Sequence, residues 1–321
     1  MGPDEQKGPV MATFGEWVSG ARLRTLPLAL APVLIGTGAG LGDIGGFSAI
    51  ILGATGPGEA PIPDVGGVLL RSLLALLVAL GLQIGSNYAN DYSDGIRGTD
   101  DERVGPMRLT GSGAAEPEAV KRAAFISFGV AAVAGIALVL VSHQWWLIPV
   151  GVLAVLAAWY YTGGKRPYGY MALGEVFVFV FFGLVATLGT ASAIAGSVSV
   201  AAVSGAIGIG LFACAVLMAN NIRDIPSDSA VGKTTLAVVL GDGAARAVYT
   251  LMVALPYVFL MGPIIDGHPL AVLAVLSLVV VVQPVKVVLS GASGATLIPT
   301  IKSTSLAALA YAFLLGVGTA L

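Results

Sequence analysis

Residues 66–89 read GGVLLRSLLALLVALGLQIGSNYA, and the next five, Asn90 to Asp94, read NDYSD. The first run is long enough to cross a bilayer, for which roughly 20 mainly apolar residues suffice as a helix. Its apolar residues do not alternate, which excludes a strand of a closed barrel, and lipid offers backbone amides no partners, so the run reads as a helix. The same reading carried outward predicts nine helices, near 26–42, 66–89, 122–141, 145–161, 172–194, 199–221, 245–264, 269–289 and 303–320. Composition agrees: 56% of the 321 residues are apolar, 11% are charged and the mean hydropathy is +0.91, whereas a soluble domain carries about a quarter charged residues. The expected fold is an all-α integral membrane bundle, one domain over 1–321 with residues 1–15 as a flexible tail.

The net charge of -2 says little, because the charges are unevenly placed. With nine spans, fifteen of the sixteen Lys and Arg fall on the side of the N-terminus, and Arg71 alone falls opposite. Basic residues in short loops stay cytoplasmic. The N-terminus and loops 90–121, 162–171, 222–244 and 290–302 are therefore expected to face the cytoplasm across the plasma membrane, with the C-terminus opposite. The segment 53–65 is Gly/Pro-rich and reads as a connector. No removable signal peptide is evident near Asp4, Glu5 and Glu16. Cys214, the only cysteine, rules out an internal disulfide and reads as a packing residue. His143 and His268 fall on the far side, and no nucleic-acid partner is expected.

The polar ends of two helices carry the chemistry. Asn90 and Asp94 are four apart, so a helix continued through them puts both oxygens on one face. The run goes on through Arg97, Asp100, Asp101, Glu102 and Arg103. One hundred and thirty residues later the sixth helix ends in Asn220, Asn221, Arg223, Asp224 and Asp228, followed by Gly232, Lys233 and Thr234. Oxygen donors with no His or Cys nearby suit Mg²⁺ and not zinc, and Mn²⁺ accepts the same donors. Two such ions facing one another would hold both phosphates of a diphosphate, with Arg97, Lys165, Arg223 and Lys233 neutralising the remaining charge. A solvated charged loop is the plain alternative for either cluster alone, but two clusters at equivalent helix ends favour function. Tyr160 and Tyr168 read equally well as interfacial anchors.

The strings NDYSD (90–94), YTGGK (161–165) and DIPSDSAVGKTT (224–235), in that order on a many-helix chain, resemble the UbiA superfamily of membrane prenyltransferases. The longer strings NDYSDGIRGTDDERVGPMRLTGSG and NNIRDIPSDSAVGKTTLAVVLGD are similar to its 1,4-dihydroxy-2-naphthoate polyprenyltransferase branch, and the likeness runs from about residue 16 through the last helix. The third acidic position of the common first motif is Gly98 here, with Asp100 two later, a spacing that the naphthoate branch shares. The resemblance implies a nine-helix bundle whose central cavity is capped by the two acidic loops and admits an isoprenoid tail from the lipid. It implies that Asn90, Asp94, Asp224 and Asp228 hold magnesium, two ions in all, with Asp91 in a supporting place and Asp100 either a ligand or a support for Arg103. It makes Arg97, Lys165, Arg223 and Lys233 diphosphate contacts and sets Tyr161 beside the reacting allylic carbon.

The activity so implied is transfer of a polyprenyl group from its diphosphate to 1,4-dihydroxy-2-naphthoate with loss of CO₂ and diphosphate, the step that forms demethylmenaquinone. Arg22 or Arg24 would hold the acidic aromatic substrate, and positive-inside anchoring explains both arginines equally well. Another aromatic acceptor, 4-hydroxybenzoate or homogentisate, is the nearest alternative. A CDP-alcohol phosphatidyltransferase shares an Asp-rich opening, but Arg97 comes too early for that motif. An ion-coupled transporter would place its carboxylates at mid-membrane, not at helix ends.

Overall fold

The computed structural model describes residues 12–52, 63–98 and 107–321. Most of the 53–65 connector and Asp100 lie outside the described residues. The helices are α1 (Phe14–Gly20), α2 (Pro27–Asp43), α3 (Gly46–Leu52), α4 (Val65–Gly95), α5 (Pro117–Ser142), α6 (Leu147–Tyr160), α7 (Gly174–Ala195), α8 (Val200–Ala230), α9 (Leu236–Leu240), α10 (Asp242–Ile265), α11 (Pro269–Leu289) and α12 (Gly294–Ala320). Each of the nine expected segments has its helix, but the spanning count is lower. Among the described residues seven helices are long and apolar enough to cross a membrane, and counting α1 with α2, bent by 49°, as one span brings the number to eight. The ninth, α6, has 14 residues, about 21 Å at 1.5 Å per residue, short of a hydrocarbon core of about 30 Å. The chain is a multi-pass membrane protein.

Local chemistry sets the helix ends. The Asp64 carboxylate caps α4 by accepting the Gly67 N–H at 2.7 Å, and Ser199 caps α8 by accepting the Ala202 N–H at 3.1 Å. Pro117 opens α5, and Gly196, in the left-handed region at φ 75°, closes α7.

The structure corrects two boundaries. The sequence reading ends the second and sixth helices at 89 and 221, yet α4 and α8 run on to Gly95 and Ala230. Hydropathy falls there while main-chain bonding continues, because the polar side chains of the added turns find partners inside the protein. At 31 residues each, about 46 Å, both helices overrun the hydrocarbon core. The acidic motifs are thus helical residues held on rigid rods.

Packing centres on α2, which lies against α12, α7, α4 and α8, while α4 runs along α5. Close approach depends on small residues, since apolar burial between helices gains nothing over lipid. A Cβ on Gly38 would stand 2.5 Å from Gly316 Cα, and one on Gly183 would stand 2.6 Å from Gly210 Cα. Residues Phe179–Val185 of α7 form a π-helical stretch, a wide turn that recurs at functional sites. Arg71, which the sequence reading sets apart from the other basic residues, donates to the carbonyls of Val141, Ala193 and Ile194. It thereby satisfies carbonyls at the ends of α5 and α7, which lipid cannot do.

Replacing Gly38 by Val should destabilise the protein by about 1–3 kcal/mol, the usual cost of overpacking. Gly129→Val, on an exposed face of α5 with open space around it, should leave the melting temperature in detergent unchanged.

Candidate active site

The last turns of α4 and α8 bring the two acidic motifs to one end of a cavity of about 870 Å³. Asn90 is fixed by the Thr162 hydroxyl, which donates to its Oδ1 at 2.8 Å. Asp94, 4% exposed, accepts the Tyr170 hydroxyl at 2.8 Å and has Arg108 at 4.0 Å. On α8 the Arg223 guanidinium grips Asp224 in a two-point pair at 2.7 and 2.6 Å, and Lys233 stands 3.3 Å from Asp228. Tyr170 joins the halves: its hydroxyl meets Asp94, and the Lys233 ammonium lies 5.3 Å from its ring centre. Its backbone is tied to the second motif as well, since the Thr234 N–H donates to the Tyr170 carbonyl and the Ala172 N–H to the Thr234 carbonyl.

Among the described residues five basic side chains line the cavity, Arg22, Arg24, Arg108, Arg223 and Lys233, against one acidic residue, Asp94. Asn90, Asn220 and Asn221 complete this polar end. A cationic mouth of this kind selects an anion and raises its local concentration. Beyond it the wall is apolar, with Val78, Leu82 and Val155, and with Phe181 and Phe182 from the π-helical stretch. Ile136, Ile148, Val152 and Leu156 line the cavity and also remain exposed. The cavity therefore opens sideways between α5 and α6, onto the surface that faces lipid.

The structure does not place all the expected residues alike. Asn90, Asp94, Tyr161, Arg22, Arg24, Arg223 and Lys233 line the cavity. Asp224 and Asp228 stand behind the wall, 3% and 6% exposed, in their ion pairs. Arg97 and Lys165, expected on the diphosphate, are exposed and outside the wall. Arg97 donates instead to the carbonyls of Thr162 and Gly164, clamping the turn that holds Tyr161. Asp91 is no ligand in this geometry: its two oxygens accept the N–H groups of Leu109 and Thr110 at 2.8 and 2.9 Å, anchoring the returning loop. Tyr168 stacks on Phe177 with ring centres 3.9 Å apart and donates to the Ala157 carbonyl, and burial raises its phenol well above the ordinary value. His143 and His268 take no part in the wall.

Sequence reading gave no role to Arg108, Tyr170, Thr162 and Gln83, all at this site, and named Asn221 only as part of the second motif. Asn221 donates at 2.9 Å to Glu175, a carboxylate 5% exposed behind it. A polar residue every three or four positions along 83–94, Gln83, Asn87, Asn90 and Asp94, was the available signal for Gln83.

The donor set, oxygens of Asn and Asp side chains, fits magnesium. Among the described residues no three His, Cys, Asp or Glu side chains converge as a cage. Mg²⁺ needs only one or two carboxylates when phosphate and water supply the rest, and Asn90 with Asp94, and Asp224 with Asp228, offer oxygens in pairs one helical turn apart. Asp91→Asn should lower the melting temperature, reflecting a loss of about 1–3 kcal/mol for a buried charged acceptor. The magnesium concentration at half-maximal activity should stay that of the wild type, since Asp91 serves the loop and not the ion.

A model of the UbiA prenyltransferase family matches residues 44–295. The chain is 46% identical to a 1,4-dihydroxy-2-naphthoate octaprenyltransferase of Mycobacterium tuberculosis over 94% of its own length and 96% of that protein. It is 37% identical to the Escherichia coli protein of the same name, over 72% and 70% of the two chains. In three dimensions it is similar to a UbiA homologue from Aeropyrum pernix, with a TM-score of 0.65 at 15% identity over 92% of this chain and 97% of that one. It is also similar to a UbiA homologue from Archaeoglobus fulgidus bound to GPP and Mg²⁺, with a TM-score of 0.55 at 14% identity over 92% and 99%. By the family model and these identities, the chain belongs to the UbiA prenyltransferase family.

Proposed function

We propose that this protein transfers a polyprenyl group from an allylic polyprenyl diphosphate to 1,4-dihydroxy-2-naphthoate, releasing CO₂ and diphosphate and giving demethylmenaquinol. The observation that carries the reading is the cavity itself, cationic at a mouth that holds both acidic motifs and apolar along a wall that opens toward lipid. Such a wall suits a long isoprenoid tail, and such a mouth suits its diphosphate. The choice of naphthoate rests on the relatives of that name, one of them 46% identical over almost the whole chain.

Arg223, Lys233 and Arg108 hold the diphosphate at the mouth and offset its charge as the allylic C–O bond breaks. Asn90, Asp94, Asp224 and Asp228 would hold magnesium, in two sites, one per motif, and manganese accepts the same oxygens. When bound, the metal supplies positive charge against the leaving diphosphate. Tyr161, on the cavity wall with its hydroxyl 3.3 Å from where a Gly174 Cβ would stand, faces the allylic carbon. The apolar wall excludes water, which would otherwise capture the allylic cation. The electron-rich ring then attacks, its carboxylate leaving as CO₂ and returning the electron pair to the ring. Arg22 and Arg24, on the cavity wall, hold the acidic acceptor. The acidic motifs and the N-terminus face the cytoplasm in the plasma membrane, the side where the basic residues gather, and with α6 counted as a ninth crossing the C-terminus lies opposite.

Lipid-reconstituted protein given 1,4-dihydroxy-2-naphthoate, a long prenyl diphosphate and Mg²⁺ should form prenylated naphthoquinol, and EDTA should abolish it. Asp94→Ala and Asp224→Ala should each lower kcat by about 10²–10³-fold or more, the usual loss for one pre-placed electrostatic group. Product with 4-hydroxybenzoate or homogentisate but none with the naphthoate would move the assignment to another acceptor.

A further inference from the structure

Gln83 lies on the cavity wall and is 7% exposed. It sits on the face of α4 that carries Asn87, Asn90 and Asp94, about 10 Å deeper than Asn90 at 1.5 Å per residue. Its Nε2 donates to the Thr25 hydroxyl at 3.3 Å, and that hydroxyl in turn donates to the Arg22 carbonyl at 3.0 Å. Because the Thr25 proton is committed to Arg22, Thr25 can only accept from Gln83, which fixes the amide with its oxygen turned away from the turn. That oxygen, Oε1, is buried and has no hydrogen-bond partner among the described residues.

A second unpartnered buried atom stands in the same corner. Arg22 holds a left-handed backbone, φ 55°, between two anchors from α4: Asn87 donates to the Ala21 carbonyl at 2.9 Å, and Gln83 reaches Thr25. Its Nη2 is buried without a partner among the described residues, and its side chain lines the cavity. Strained backbone and unpaired buried polar atoms persist where a ligand completes them. Here the pair is complementary: a cationic donor beside a neutral acceptor fits a small ring that carries both a carboxylate and a hydroxyl.

We propose that Gln83 reads a ring hydroxyl of the aromatic acceptor, its Oε1 accepting the O–H while Arg22 takes the carboxylate. The inference rests on the prenyl-acceptor reading above and adds to it a specificity residue. A site with a buried acceptor rejects an analogue that leaves the acceptor unpaired. Gln83 therefore selects hydroxylated acids over their deoxy counterparts and does not touch the prenyl diphosphate.

The test measures competitive inhibition constants for 1-hydroxy-2-naphthoate and 4-hydroxy-2-naphthoate, each lacking one hydroxyl, beside kinetics with 1,4-dihydroxy-2-naphthoate. It uses the wild-type protein, Gln83→Leu and Gln83→Met in lipid, with melting temperatures recorded. The wild type should favour one monohydroxy acid over the other by roughly tenfold or more, about one hydrogen bond. Both variants should erase that preference and lower kcat/KM for the dihydroxy acid by a similar factor, with KM for the prenyl diphosphate unchanged. Folded variants that keep the preference, or that raise KM for the prenyl diphosphate equally, would overturn the role of Gln83 alone. A wild type inert toward the dihydroxy acid would remove the acceptor reading and this inference with it.

Discussion

Charge pairing at the membrane boundary is the constraint on which the rest of this structure depends. Asp94, Asp224 and Asp228 are each at most 6% exposed, and a carboxylate withdrawn from water is tolerated only when a cation and hydrogen bonds compensate it. Arg223 and Lys233 supply that compensation within α8 and the turn after it, and Tyr170 with Arg108 supplies it for α4. The partners of Asp224 and Asp228 are local, whereas Tyr170 and Arg108 reach Asp94 from other segments and so help fix where those segments lie. The two 31-residue helices are thus bound at their polar ends as well as along their apolar sides.

The same pairing prepares the site for an anion. Carboxylates alone at the mouth would repel a diphosphate, whereas Asp224 and Asp228 stand behind a wall whose described residues include more basic side chains than acidic ones. The apolar wall, with Phe181 and Phe182, shields the interior from water, and low polarity strengthens every charge interaction at the mouth. The lateral gap between α5 and α6 lets an apolar tail enter without crossing the polar end. Reaction chemistry and substrate entry therefore occupy different parts of one cavity.

Arginine plays two unlike parts in this bundle. Arg71 and Arg246 satisfy main-chain carbonyls at helix ends, Arg246 reaching Val288 and Ala292 while pairing with Asp242. Arg97 does the same for the turn at Thr162 and Gly164. Arg22, Arg24, Arg108 and Arg223 line the cavity instead. Identical side chains thus serve structure or chemistry according to whether a carbonyl lies within reach.

The sequence by itself determined the membrane bundle and the two acidic motifs, because spanning length and the break from apolar to polar are properties of contiguous residues. It placed a helix in each of nine segments, and the branch-specific strings around 90–113 and 220–242 pointed to the family. Tertiary structure decided the rest. That α4 and α8 outlast their apolar runs depends on partners such as Thr162 for Asn90 and Tyr170 for Asp94, which are 72 and 76 residues away in the chain. The removal of Arg97 and Lys165 from the cavity, the use of Asp91 as a loop anchor and the unpartnered oxygen of Gln83 follow from packing across distant segments. Hydropathy is additive along a chain and can be read from it, whereas which buried polar group meets which is settled only when the segments come together.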